Sequence, residues 1–128
     1  MKRMLGVLLS AMALVSSVPA YAHHSFSAAY FEDQIQQIEG DIAVIQYRNP
    51  HTFIHVDAKN EEGVVTRYSI EWGSGIQLTN QGVGRTTLKT GDHVKISGNP
   101  GRVASDHRMR MRTIERPADG WKWGGTFD

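Results

Sequence analysis

Val64-Val65-Thr66-Arg67-Tyr68-Ser69-Ile70-Glu71-Trp72, followed by Gly73-Ser74-Gly75-Ile76-Gln77-Leu78-Thr79-Asn80-Gln81, is the stretch on which the fold turns. Its first half alternates with a period of two, Tyr68, Ile70 and Trp72 on one face and Arg67, Ser69 and Glu71 on the other, as a half-buried strand requires. Its second half breaks that alternation and offers Ser74 as the cap of a short helix over 74–81, although Gly75, Thr79 and Asn80 are poor helix formers. What flanks this strand-to-helix change decides the architecture.

Upstream, Glu39 to Tyr47 reads as a strand ended by Asn49-Pro50. Thr52 to Ala58 reads as another, with Ile54 and Val56 opposite Phe53, His55 and Asp57, and Asn60-Glu61-Glu62-Gly63 joins it to the third strand as a hairpin. Downstream, Leu88-Lys89-Thr90-Gly91-Asp92 is a turn that feeds a fourth strand, His93 to Gly98, ended by Asn99-Pro100-Gly101. The fifth, Arg108 to Glu115, alternates sharply between Met109, Met111 and Arg108, Arg110, Arg112. No repeat is visible. Three strands, a short helix and two strands form the order of an all-β, five-stranded Greek-key barrel of the oligonucleotide/oligosaccharide-binding (OB) type, with its helix between strands 3 and 4. The barrel is expected over residues 40–116, and the tail 117–128, with Trp121, Trp123 and Gly124-Gly125, as a loosely ordered segment or one laid over the barrel.

The first residues have a different character. Met1-Lys2-Arg3 is basic, Leu5 to Val18 is apolar, and Pro19 precedes the small-x-small triplet Ala20-Tyr21-Ala22, the pattern of a secretory signal peptide over residues 1–22. The apolar run is too short for a transmembrane helix, so the expectation is a soluble product, periplasmic or secreted, cut after Ala22 and beginning with an N-terminal arm over 23–39. The chain has no Cys, which removes a disulfide scaffold and a thiol for a lipid anchor. Cleavage would leave 106 residues with 12 basic and 13 acidic side chains, enough for one domain. That balance gives no general electrostatic reason to bind nucleic acid or an anionic membrane.

A chain cut after Ala22 would start His23-His24. A free α-amino group, the Nδ1 of a first histidine and a further imidazole can set three nitrogens around one ion, a donor set that suits Cu(II) best. His51 in the Asn49-Pro50-His51 turn sits where the arm could fold back to it, and Glu71 could add a carboxylate. The expected metal residues are therefore His23, His24 and His51, with copper as the cofactor. His55, His93 and His107 read as solvated or hydrogen-bonded residues, and Met109 and Met111 as core fillers rather than Cu(I) ligands. The row Arg108, Arg110 and Arg112 could bind a phosphate, carboxylate or polyanion, or face solvent paired with acidic neighbours.

Enzymatic signatures are missing: there is no Cys nucleophile, no nucleophile-elbow serine, no His-Glu-x-x-His and no glycine-rich phosphate loop. Three readings follow, all non-enzymatic: a copper-binding protein, a metal-free module for an anionic small molecule or glycan, and an interaction protein whose Trp121-Trp123 tail docks on an envelope partner.

His23-His24-Ser25-Phe26, Asn49-Pro50-His51, Ile70-Glu71-Trp72-Gly73-Ser74 and the segment Leu88 to Pro100 occur in this order across nearly the whole expected mature chain. In that fingerprint the chain resembles a family of small exported bacterial proteins known only as a domain of unknown function. Where the family pattern carries a Trp after the Asn-Pro-His turn and another after a Gly near the helix, this chain has Phe53 and Val83. The resemblance implies an exported OB-like domain and no particular activity.

Overall fold

The computed structural model describes residues 26–127, so the expected signal peptide and the His23-His24 pair lie outside the described residues. Among the described residues, after a helical turn at 26–29, six strands and a short α-helix follow one another as β1 (Gln36–Gln46), β2 (Phe53–Lys59), β3 (Val65–Glu71), α1 (Gly75–Asn80), β4 (His93–Pro100), β5 (Arg108–Arg116) and β6 (Trp121–Gly124). Hydrogen bonding runs in the order β3-β2-β1-β4-β5-β6, and a parallel pairing of β3 with β5 closes the first five strands into the expected barrel. Alternation puts Ile54, Val56, Ile70, Trp72, Val94, Ile96, Met109 and Met111 inside, each 2 % exposed or less.

β1 is the strand both halves of the sheet share. Gly40 faces Ala58 of β2 on one side and Val94 of β4 on the other, and a register shift between Ile42 and Val44 bends the strand around the core. A second shift at Ser97/Gly98 does the same for β4 against β5. α1 is set by a capping box, Ser74 Oγ accepting from Gln77 N at 3.1 Å and Gln77 Oε1 accepting from Ser74 N at 3.0 Å. This reciprocal cap and the buried Leu78 outweigh the poor helix formers named above.

The segments outside the expected barrel are ordered parts of it. β1 begins at Gln36, within the stretch assigned to the arm, and Phe26 and Tyr30 of that arm are buried with the core. The tail lies over the barrel as β6, pairing Thr113↔Gly124 through Arg116↔Trp121, and Trp123 meets Trp72 edge-on with ring centroids 5.0 Å apart. β3 covers only the Arg108–Arg110 end of β5, so β6 takes the hydrogen-bonding edge that β3 leaves open. Among the described residues no helix is long and apolar enough to cross a membrane.

At the start of β4, His93 spans two carboxylates of β1, with Nδ1 2.7 Å from Asp41 and Nε2 2.9 Å from Glu39. The Glu39 contact first, then Asp41, raises the His93 pKa, and the His93 hydrogen bond in turn lowers that of Glu39. A raised folded-state pKa means that the stabilisation is complete below the unfolded value near 6.5 and fades as pH rises through the folded one. Wild type is therefore expected to exceed His93→Ala in thermal midpoint at pH 6 by more than at pH 8.5. Equal differences at both values would refute the linkage. Half-exposed partners keep the effect small.

Candidate functional site

The outer face of the β3–β5 seam, which alternation alone would give to solvent, is roofed by both ends of the described chain. Register sets Glu71 opposite Arg110 and Ser69 opposite Arg108 on this face. The helical turn at 26–29 and Tyr30 lie across it from one side, and Phe127 from the other. Phe26 and Phe127 meet edge-on at 5.8 Å, and the Arg110 guanidinium lies under both, 3.8 Å from the Phe26 centroid and 5.1 Å from that of Phe127.

Glu71 is the electrostatic hub of this clasp. Tyr30 Oη donates a short hydrogen bond to Glu71 Oε2, Arg108 Nη2 approaches the same oxygen at 3.3 Å, and His51 Nδ1 lies 3.3 Å from Oε1. The His51 approach is at ion-pair distance but off hydrogen-bond alignment. Burial, reinforced by the Glu71 hydrogen bond and charge, pushes the Tyr30 hydroxyl well above its usual range, so it stays a donor at neutral pH. His51 keeps about a quarter of its side-chain surface exposed, with its ring edge-on to Phe26 at 5.6 Å and to Phe127 at 6.2 Å. It is thus held by aromatic walls and one carboxylate while still open to solvent.

The sequence candidates divide accordingly. His51 and Glu71 are brought together, and Phe26 ties the start of the described chain to them; His23 and His24 lie beyond it. His55 faces outward on β2 opposite Ser69, its pKa lowered by burial and then by Arg67 and Arg48. His107, in a left-handed turn, packs against Tyr68, and His93 stands with Glu39 and Asp41. No group of three or more His, Asp or Glu positioned to hold a metal occurs among the described residues.

Arg108, Arg110 and Arg112 do share a strand face, opposite Met109 and Met111, but not as an open cationic row. Arg108 pairs with Glu71, while Arg110 is buried, donates to the Phe127 carbonyl at 2.6 Å and approaches Glu32 at 3.4 Å. Arg112 donates to Asn99 Oδ1 at 2.7 Å, and Asn99 in turn holds the carbonyls of Glu32 and Gln34. The row fastens the N-terminal segment and the tail to the barrel. A solvated face was expected as one outcome, and the difference arises because the chain ends cover it. Sequence reasoning missed Tyr30 and Phe127 here. The pair Phe26 and Tyr30, one helical turn apart in a polar arm, was the available signal.

Residues 11–110 match a family described as a family of unknown function (DUF6152). Nothing among curated proteins matches. Among solved structures, the barrel resembles the mitochondrial single-stranded DNA binding protein Rim1 of S. cerevisiae, with a TM-score of 0.50 at 12% identity, over 64% of this chain and 91% of that one. At that identity the likeness is one of fold.

Proposed function

The chain belongs to the DUF6152 family of unknown function, and from that premise we propose that it is a small exported, periplasmic OB-fold protein that binds copper through His23, His24 and His51. The observation that carries this reading is the packing of Phe26 on His51. His24 is two residues before Phe26, so its Cα lies within about 7 Å of the Phe26 Cα whatever the backbone does. In a chain cut after Ala22, the covalent span to Phe26 is short enough to allow the leading histidines and the α-amino group to reach toward His51.

The surroundings of His51 suit a ligand. Glu71 beside Nδ1 favours the proton on that nitrogen and leaves Nε2 for a metal, the usual division of labour between a carboxylate and a coordinating histidine. Nitrogen donors from an amine and imidazoles select Cu(II) over other divalent ions. The amine titrates near 7.7 and imidazole near 6.5, so the site assembles around neutral pH. Single-stranded nucleic acid, which the yeast protein binds by its description, is not part of this reading. The expected mature chain is close to neutral, and Trp72 is fully buried.

The exported protein is expected to show a mass that begins at His23 and to bind one Cu(II) at pH 7.5 with a tetragonal electron paramagnetic resonance signal. His51→Ala, or one extra residue before His23, should weaken binding at least about tenfold by removing a nitrogen ligand. Copper should leave as pH falls below about 6. An unchanged affinity in both altered proteins would rule this site out.

A further inference from the structure

Tyr47, Arg48, Asn49, Ile76, Thr79 and Arg85 surround a cleft of about 310 Å³ between the end of β1 and α1. We propose that this cleft is a second binding site, for a small organic phosphate whose charged head lies between Arg48 and Arg85.

The charge of the cleft is uncompensated. No Asp or Glu lines it, and neither Arg48 nor Arg85 has a carboxylate within ion-pair distance among the described residues. Arg67, Arg108, Arg110 and Arg116 each have one. Two unneutralised guanidinium groups at one concavity are what an anion site needs, because each offers a planar fork of donors matched to phosphate oxygens.

Arg48 is also pre-set. Its guanidinium lies 5.0 Å from the Phe53 ring centroid, and its Nε donates to the His51 carbonyl at 3.4 Å. Holding the side chain from its inner nitrogen lowers the entropy lost when the terminal nitrogens engage a ligand.

Tyr47 supplies the second, independent indication. Its Oη is buried and meets no hydrogen-bond partner among the described residues, an unfavourable state for a polar group. Burial raises its pKa, and the charge of Arg85 opposes the rise, which places that guanidinium close enough to act on the hydroxyl. The hydroxyl is therefore a protonated donor near Arg85. Ile76, 64% exposed, gives the rim an apolar wall for the carbon frame of a ligand. Two positive charges and a donor favour a dianionic phosphate over a monoanionic carboxylate.

The test is titration of the full mature chain with phenyl phosphate, inorganic phosphate and benzoate, followed by backbone amide shifts. Phenyl phosphate is expected to bind most tightly, to move the amides of residues 47–49, 76–80 and 85, and to weaken as salt is raised. Arg85→Ala should weaken it at least about tenfold without moving the thermal midpoint, because that side chain has no hydrogen-bond or ion-pair partner among the described residues to lose. Tyr47→Phe should weaken it severalfold while leaving the fold as stable or more so, since it deletes only the buried donor. Equal affinity in wild type and Arg85→Ala, shifts confined to other surfaces, or benzoate binding as tightly as phenyl phosphate would each overturn the proposal. His51→Ala should leave phenyl phosphate binding unchanged, which separates this site from the copper reading.

Discussion

Alanine at Gly40 is expected to abolish the native barrel, a larger effect than any substitution in the clasp. A Cβ there would stand 2.7 Å from the Asp57 carbonyl carbon and 2.8 Å from Ala58 Cα, distances that no rotamer change relieves because both neighbours are backbone. Relief would require β1 to part from β2 at the point where β1 also pairs with β4. Overpacking a core with side chains alone typically costs about 1–3 kcal/mol. A clash against backbone in a central strand should exceed that, on the order of 4 kcal/mol or more, which is most of the stability of a small domain. Far-ultraviolet circular dichroism and a denaturant midpoint would measure it. A variant within about 1 kcal/mol of wild type would mean that β1 does not approach β2 as described.

Arg110→Ala is expected to be the most damaging change to a side chain on the barrel's outer face. The side chain is 5% exposed, lies against the faces of Phe26 and Phe127, and donates to the Phe127 carbonyl at 2.6 Å. A desolvated cation–π contact is worth about 2 kcal/mol, and a hydrogen bond from a charged donor about 1.5–3 kcal/mol. With the cavity left behind, a loss of roughly 3–5 kcal/mol follows. The location of the damage is more diagnostic than its size. Hydrogen exchange should accelerate first at residues 26–30 and 121–127, while β1 to β4 stay protected until global unfolding. Arg110→Lys should not rescue, since a lysine ammonium cannot lie flat between the rings while reaching the carbonyl. Uniform loss of protection over the whole barrel would contradict a clasp held by Arg110. If copper is bound through His51, the same variant should also weaken it, because Phe26 packs against that ring.

Much of this molecule is legible from local pattern. Period-two alternation assigns the faces of β2 and of Val94 and Ile96 in β4, and the turn chemistry at Asn49-Pro50 and Gly91-Asp92 bounds the strands within a few residues. Ser74 marks the start of α1. The same alternation set Glu71 on the face opposite Ile70 and Trp72, and the cover over that face came only from the chain ends. Alternation specifies which side of a strand a residue occupies, and cannot say what covers that side.

The candidate site shows the same division. The sequence supplied His51 and its possible partner Glu71, since a turn histidine near a barrel rim and a carboxylate at the end of a strand are readable as types. That they lie 3.3 Å apart follows from the β2–β3 pairing together with the path of the Asn49-Pro50-His51 turn, both non-local.

What the sequence determined by itself was the class: an all-β barrel with its strands in OB order and one capped helix between the third and fourth. Those features rest on interactions between residues a few positions apart. Only the tertiary structure decided that Phe26 and Phe127, about a hundred residues apart in the chain, close over Arg110, and that Trp121–Gly124 completes the edge of β5. Contacts of that separation are chosen by the whole core, through apolar area that no single segment can bury alone.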